Sequence, residues 1–157
     1  MQRLTRQAPP VFKEVERYIV RGPECAYANL KLLSRVVGTL YDEALRPVGL
    51  RASQLALMWA VAALEPVELG ELGRVTLTDQ TTLSRTVEKL RQARLVTVRT
   101  GSDRRVRIIS LNNAGWIRFR DAMPLWEAAQ VRASKLLSLD DVRNLARRVR
   151  KASRKPT

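Results

Sequence analysis

The chain has no histidine and only one cysteine among its 157 residues. The first absence removes the commonest general base and the commonest metal ligand, and the second removes an internal disulfide framework. With no clustered carboxylates either, neither a zinc site nor a Ser/His/Asp arrangement can be assembled. No GxGxxG or GxxxxGK[ST] loop is present, so no nucleotide cofactor is implied and an enzyme is not expected. Aromatic residues make up only 5% of the chain. No apolar run approaches the 18 or so residues needed to cross a bilayer, and the opening MQRLTRQAPP lacks the apolar stretch of a signal peptide. The expectation is a cytoplasmic protein without a membrane partner. Its composition, 45% hydrophobic, suits a modest, helix-rich core.

Acidic residues are also scarce. Against 15 Asp and Glu stand 29 Lys and Arg, a net charge of +14 that attracts polyanions. Within Arg74–Arg107 nine basic residues face only Asp79, Glu88 and Asp103, and the end of the chain from Arg143 adds seven basic residues and no acid. That basic end reads equally as a polyanion-binding tail or as a solvated helix end.

Helical spacing and turn residues divide the rest. Residues 1–22 form an arm in which Pro9-Pro10 delays any helix, Val11–Val20 suits a short one, and Gly22-Pro23 closes it. From Ala26 to Leu45 the positions Leu30, Leu33, Val37, Leu40, Tyr41 and Ala44 repeat on one face. A second helix, capped by Ser53 and ending at Leu64, is apolar on almost every side and therefore predicted to be buried. A short helix at Glu68–Val75 and a turn at Thr76–Thr78 lead to Asp79, a good N-cap for a helix running to about Arg94. Two β-prone runs, Leu95–Arg99 and Val106–Leu111, flank TGSDRR with its Gly101 turn signal. Asn112 or Asn113 then caps a long helix, which Pro124 is expected to kink or break. A last helix opens on Ser138 and runs into the basic end. The sequence shows no internal repeat or low-complexity tract.

Two helices joined by a short turn, followed by a basic hairpin, make a device for reading double-stranded DNA. The second helix presents its first turns to base edges in the major groove. Here that helix carries Gln80, Thr81, Thr82, Ser84, Arg85 and Lys89, with the Asp79 end suited to phosphates. At the hairpin tip Arg104 and Arg105 are long cations able to enter an adjacent minor groove. The plain alternative is a surface helix beside a solvated hairpin.

These segments resemble the MarR family of bacterial regulators. The resemblance spans about Cys25 to Arg150 and rests on LGRVTLTDQTTLSR (72–85), VEKLRQARLV, and SDRRVRIISLNNAG, with further matches in GLRASQLALMWAV and MPLWEAAQ. Its most specific element is Asp103-x-Arg105, then an apolar strand ending at Leu111 and a glycine at 115. Three positions depart from the family pattern: Asn112 replaces a usual threonine, Gly73 a common alanine, and Leu77 a common glycine. The implied fold is mainly α with a small β-hairpin wing, a winged helix-turn-helix between N- and C-terminal dimerisation helices. Its parts are an arm (1–22), a dimerisation helix (23–50), the DNA-binding region (51–112), C-terminal dimerisation helices (113–150) and a basic tail (151–157). The resemblance further implies a homodimeric repressor on a pseudo-palindromic operator, with Asp103 bracing the wing by pairing with a neighbouring arginine.

Members of this family commonly release DNA on binding small aromatic acids or phenols. Tyr27, Arg35, Tyr41 and Trp59 are candidate effector contacts, and Trp116 and Trp126 also lie near the expected pocket; each is equally suited to a core or ion-pair role. Some members instead sense oxidants at a cysteine, which makes Cys25 a redox candidate. Their cysteine aligns nearer Tyr27, about 200° further round a helix, although Tyr41 falls where they carry a supporting tyrosine. A nonspecific nucleic-acid-packaging protein driven by its basic ends is the remaining alternative, as is a winged helix turned to protein interaction.

Overall fold

The computed structural model describes residues 12–19 and 21–153, so Pro9-Pro10 and residues 154–157 lie outside the described residues. The elements are α1 (Phe12–Ile19), α2 (Ala26–Leu45), α3 (Ala52–Leu64), β1 (Val67–Glu68), α4 (Leu69–Thr76), α5 (Gln80–Gln92), β2 (Val96–Thr100), β3 (Arg107–Leu111), α6 (Asn113–Ser134) and α7 (Leu139–Ser153). The chain divides into two compact units, one up to Val37 and one from Gly38 onward.

In the first unit the apolar side chains Tyr18, Ile19, Tyr27, Leu30 and Leu33 are all exposed. The helical stripe predicted for α2 is therefore present, and its first half is uncovered in a single chain.

In the second unit α3 is the spine. Its all-round apolar sequence puts Leu55, Leu57, Met58 and Val61 in the interior, as its pattern predicts. Around it Leu45, Leu72, Leu83, Leu90, Ile109 and Ala122 complete one buried cluster. The start of α3 differs from expectation. The helix begins at Ala52, so Ser53 lies inside its first turn, and the capping falls to others. Asp42 of α2 accepts the Ala52 N–H at 2.7 Å, and Gln54 accepts the Arg51 N–H at 2.9 Å. An acceptor ten residues upstream thus satisfies a helix start and ties α2 to α3.

The α4–α5 pair is a helix-turn-helix. Leu77 ends α4 in the left-handed region at φ 52°, and the Thr78 N–H returns to the Gly73 carbonyl at 3.1 Å. This explains why a glycine is common in the family at that position: the backbone there is one that glycine adopts freely. At Gly73 an added Cβ would stand 3.4 Å from Leu83 and from the Thr78 carbonyl, close but compatible with the family's alanine. Helix α5 ends similarly, with Arg94 at φ 55° and the Leu95 N–H bonded to the Leu90 carbonyl.

A short strand absent from the sequence reading, β1, pairs with β3, so the sheet order is β1-β3-β2 and every pairing is antiparallel. Two residues are too few to leave a periodic signal. Val67 faces Ile109, and both are buried. The hairpin closes through Gly101 N–H to the Val106 carbonyl at 2.9 Å. At its base Asn112 accepts the Gly115 N–H and donates to the Arg94 carbonyl, each at 2.8 Å. One amide thus caps α6 and holds the end of α5, whereas a threonine hydroxyl offers a single rotor for both tasks.

Pro124 does not end α6, which continues from Asn113 to Ser134. Proline forfeits one backbone bond there, but Ala122 is buried and Met123, Leu125 and Trp126 pack on the core cluster. Burial on both sides of the proline outweighs the lost bond. Ser138 accepts the Asp141 N–H and caps α7, as predicted.

Candidate nucleic-acid interface

Helix α5 is positioned by the buried stripe Leu83, Val87 and Leu90. Its start is fixed by Asp79, whose Oδ1 accepts the Thr82 N–H at 2.9 Å. Hydrogen bonds from the Thr82 backbone and hydroxyl hold the Asp79 carboxyl below its ordinary value. Asp79 is thus engaged as a cap. Gln80, Thr81, Arg85 and Lys89 are exposed and Ser84 is half-buried. Arg85 stands about 200° round the helix from Leu83, pointing away from the core.

The wing runs beside this helix. A groove of 470 Å³ is lined by Gln80 and Ser84 of α5, by Arg105, Val106 and Arg107 of the wing, and by Glu68, Leu69 and Gly70 where α4 begins. A larger groove of 730 Å³ continues along α5 past Arg85, Lys89 and Arg91 to Arg107, over the apolar floor of Val98 and Ile109. Arg107 borders both grooves and was not singled out from the sequence. Only its place at the start of β3, which turns it toward α5, distinguishes it from other arginines. Glu88 is neutralised inside this surface. Arg91 donates to both its oxygens at 2.7 Å, Gln92 donates at 3.0 Å, and these bonds keep its carboxyl below the ordinary range.

At the tip Arg104 and Arg105 are exposed. Asp103 accepts the backbone N–H of Arg105 at 2.8 Å, so its contact is with the chain itself. Thr82 departs from the other helix residues. It lines a separate cavity with Ala56, Trp59 and Thr86, away from the wing groove.

The effector candidates fall in both units. Tyr41 and Trp59 border one cavity of 320 Å³, together with Leu55, Ala56 and Trp126. The Tyr41 hydroxyl donates to Gln130 Oε1, and burial pushes its pKa up. Trp59 packs on Trp126 at 5.0 Å and edge-on to Phe119 at 5.4 Å between ring centres. Trp116 is engaged elsewhere, donating to Glu65, whose other oxygen accepts the Leu111 N–H. In the first unit Tyr27 and Arg35 are exposed. Cys25 is also exposed, and its carbonyl accepts the Asn29 N–H in the first turn of α2.

A buried helix-turn-helix carrying an exposed second helix, flanked by an antiparallel hairpin on one sheet, defines a winged helix-turn-helix protein. Residues 48–106 match the model of the MarR family. The fold agrees with solved structures along most of the chain. The M. tuberculosis transcriptional regulator MosR, solved in complex with DNA, is 29% identical and superposes with a TM-score of 0.74 over 82% of this chain and 96% of its own. AbsC, a MarR family transcriptional regulator from Streptomyces coelicolor, is 22% identical, with a TM-score of 0.66 over 83% and 90%. Bordetella bronchiseptica BpsR, described as regulated in DNA binding by 6-hydroxynicotinic acid, is 19% identical, with a TM-score of 0.71 over 86% and 97%. No match was found among curated proteins. The chain belongs to the MarR family, a class of transcriptional regulators rather than of enzymes. No single helix among the described residues is long and apolar enough to cross a membrane.

Proposed function

We propose that this MarR-family regulator works in the cytoplasm as a homodimeric, sequence-specific repressor of a pseudo-palindromic operator, released by a small aromatic or phenolic molecule. The observation that carries the DNA reading is the groove in which Gln80 and Ser84 of α5 face Arg105 and Arg107 of the wing. Side chains that pair with base edges lie on one wall and phosphate-seeking cations on the other. The 29%-identical MosR, bound to DNA in its structure, supports this use of the fold. The uncovered apolar residues of α2 and of α7, among them Leu30, Leu33, Val142 and Leu145, favour a second copy as partner. The cavity between Tyr41, Trp59 and Trp126 suits an aromatic effector by its size and ring-lined wall.

A competition experiment tests the central reading. A labelled duplex carrying the palindrome from the promoter of its own gene is bound, and unlabelled random duplex is added in excess. Retention of the specific complex, with affinity falling steeply as salt rises, is the expected result. Displacement by random DNA as readily as by the palindrome would instead make the protein a nonspecific binder.

A further inference from the structure

Helix α3 borders a second cavity, of 510 Å³, which is built differently from the aromatic one. Its walls are Ala56, Trp59 and Ala60 of α3 and Leu83 of α5, with the α4–α5 turn between them. The lining includes one charged residue, Arg150, brought in by α7. The neighbouring hydroxyls have their protons engaged. Thr76 donates to the Leu72 carbonyl at 2.7 Å and Thr86 to the Thr82 carbonyl at 2.9 Å. Arg150 therefore supplies the strong donors, and no carboxylate among the described lining residues opposes it. One guanidinium N–H bonds the Val75 carbonyl at 2.9 Å, in the last turn of α4. That bond uses one of five donors and holds the planar group without neutralising its charge.

We propose that this cavity binds a small carboxylate with a flat apolar body, the carboxylate on Arg150 and the body between α3 and α5. The inference goes beyond the function proposed above, because it assigns a second, anion-selective site distinct from the cavity at Tyr41. Burial of the apolar body against Trp59 and Leu83 supplies affinity, and the fixed fork of the guanidinium supplies selection for a planar anion. The site also has a regulatory geometry. The same guanidinium holds the end of α4, and α5 forms one wall, so an occupant bears directly on the helix-turn-helix. Any effect of the ligand on DNA affinity then equals the effect of DNA on ligand affinity.

The test uses the full chain and 1-naphthoate as probe, titrated calorimetrically, with the neutral 1-naphthamide beside it. Naphthoate is expected to bind once per chain and naphthamide at least tenfold more weakly. Arg150→Met should weaken naphthoate at least tenfold and abolish its advantage over the amide, since a charge-assisted pair is lost. Arg143→Met, on the same helix but paired with Asp140, controls for general charge and should leave the affinity within twofold. Absence of naphthoate binding, equal binding of acid and amide, or an unchanged Arg150→Met affinity each overturns the assignment. Binding of the palindromic duplex without naphthoate is measured in parallel, so that failure of the DNA reading is seen separately.

Discussion

The carboxylate of Asp103 accepts the backbone N–H of Arg105 at 2.8 Å. The acid thus shapes the wing tip that presents the arginine, while the Arg105 side chain projects free of it into the groove beside Gln80. Asp103→Ala should loosen the tip and weaken operator binding several-fold, with Asp103→Asn restoring most of it, because an amide oxygen accepts the same bond. Arg105→Ala should cost roughly tenfold or more, the range for losing a groove-reading arginine, without lowering the melting temperature. Fluorescence anisotropy with the promoter duplex reads both, and equal affinities for all four proteins would remove the wing from the interface.

Asp79 makes helix α5 sensitive to acid. Its carboxyl is held below the ordinary value, first by the Thr82 backbone N–H. The folded state therefore gains stability that is fully present above the unfolded carboxyl value and is lost as pH falls through the lowered folded one. Asp79→Asn caps without titrating. The stability gap between wild type and Asp79→Asn should be constant near neutrality and shrink below about pH 4. A gap independent of pH in thermal melts would show that the cap is not the titrating group.

Leu77 holds a left-handed backbone with its side chain 55% exposed, so little burial compensates the strain. Leu77→Gly should stabilise the protein by about 0.5–1 kcal/mol, the relief of the Cβ clash less the greater chain entropy of glycine. A higher urea midpoint at unchanged slope is the expected signature. A lower midpoint would mean that Leu77 contributes packing absent from the single chain.

Gly115 has the opposite character. A Cβ at this position would lie 2.0 Å from the Leu95 carbonyl oxygen, where α6 leaves the base of the hairpin. Gly115→Ala should cost about 3 kcal/mol or more, since backbone on both sides must move. Near-native stability in denaturant would show that this approach can relax.

Much of this architecture is legible in the sequence because it is local. Asp79, Asn112 and Ser138 each cap the helix that follows, and the bounds of α2 are those its apolar spacing gives. What escapes is whatever depends on residues far apart. Ser53 resembles a cap, yet Asp42 from the preceding helix takes the role. Pro124 resembles a stop, yet core packing carries α6 through it. Strand β1 exists because Val67 meets Ile109. In the candidate interface, Gln80, Ser84 and Arg105 are readable from motif and periodicity and do share one groove. Arg107 joins them through strand pairing, Thr82 leaves them by its place on α5, and Arg150 reaches Val75 from the far end of the chain.

The sheet order has a mechanical consequence. Because β3 lies between β1 and β2, the wing's returning strand is pinned on both edges at its root, through Val67–Ile109 on one side and Val98–Ile109 on the other. The hairpin is a cantilever clamped at Ile109, and bending is confined to the stretch beyond Thr100 and Arg107. Residues inserted between Ser102 and Arg104 should therefore lengthen the reach of the arginines without disturbing the head that carries them.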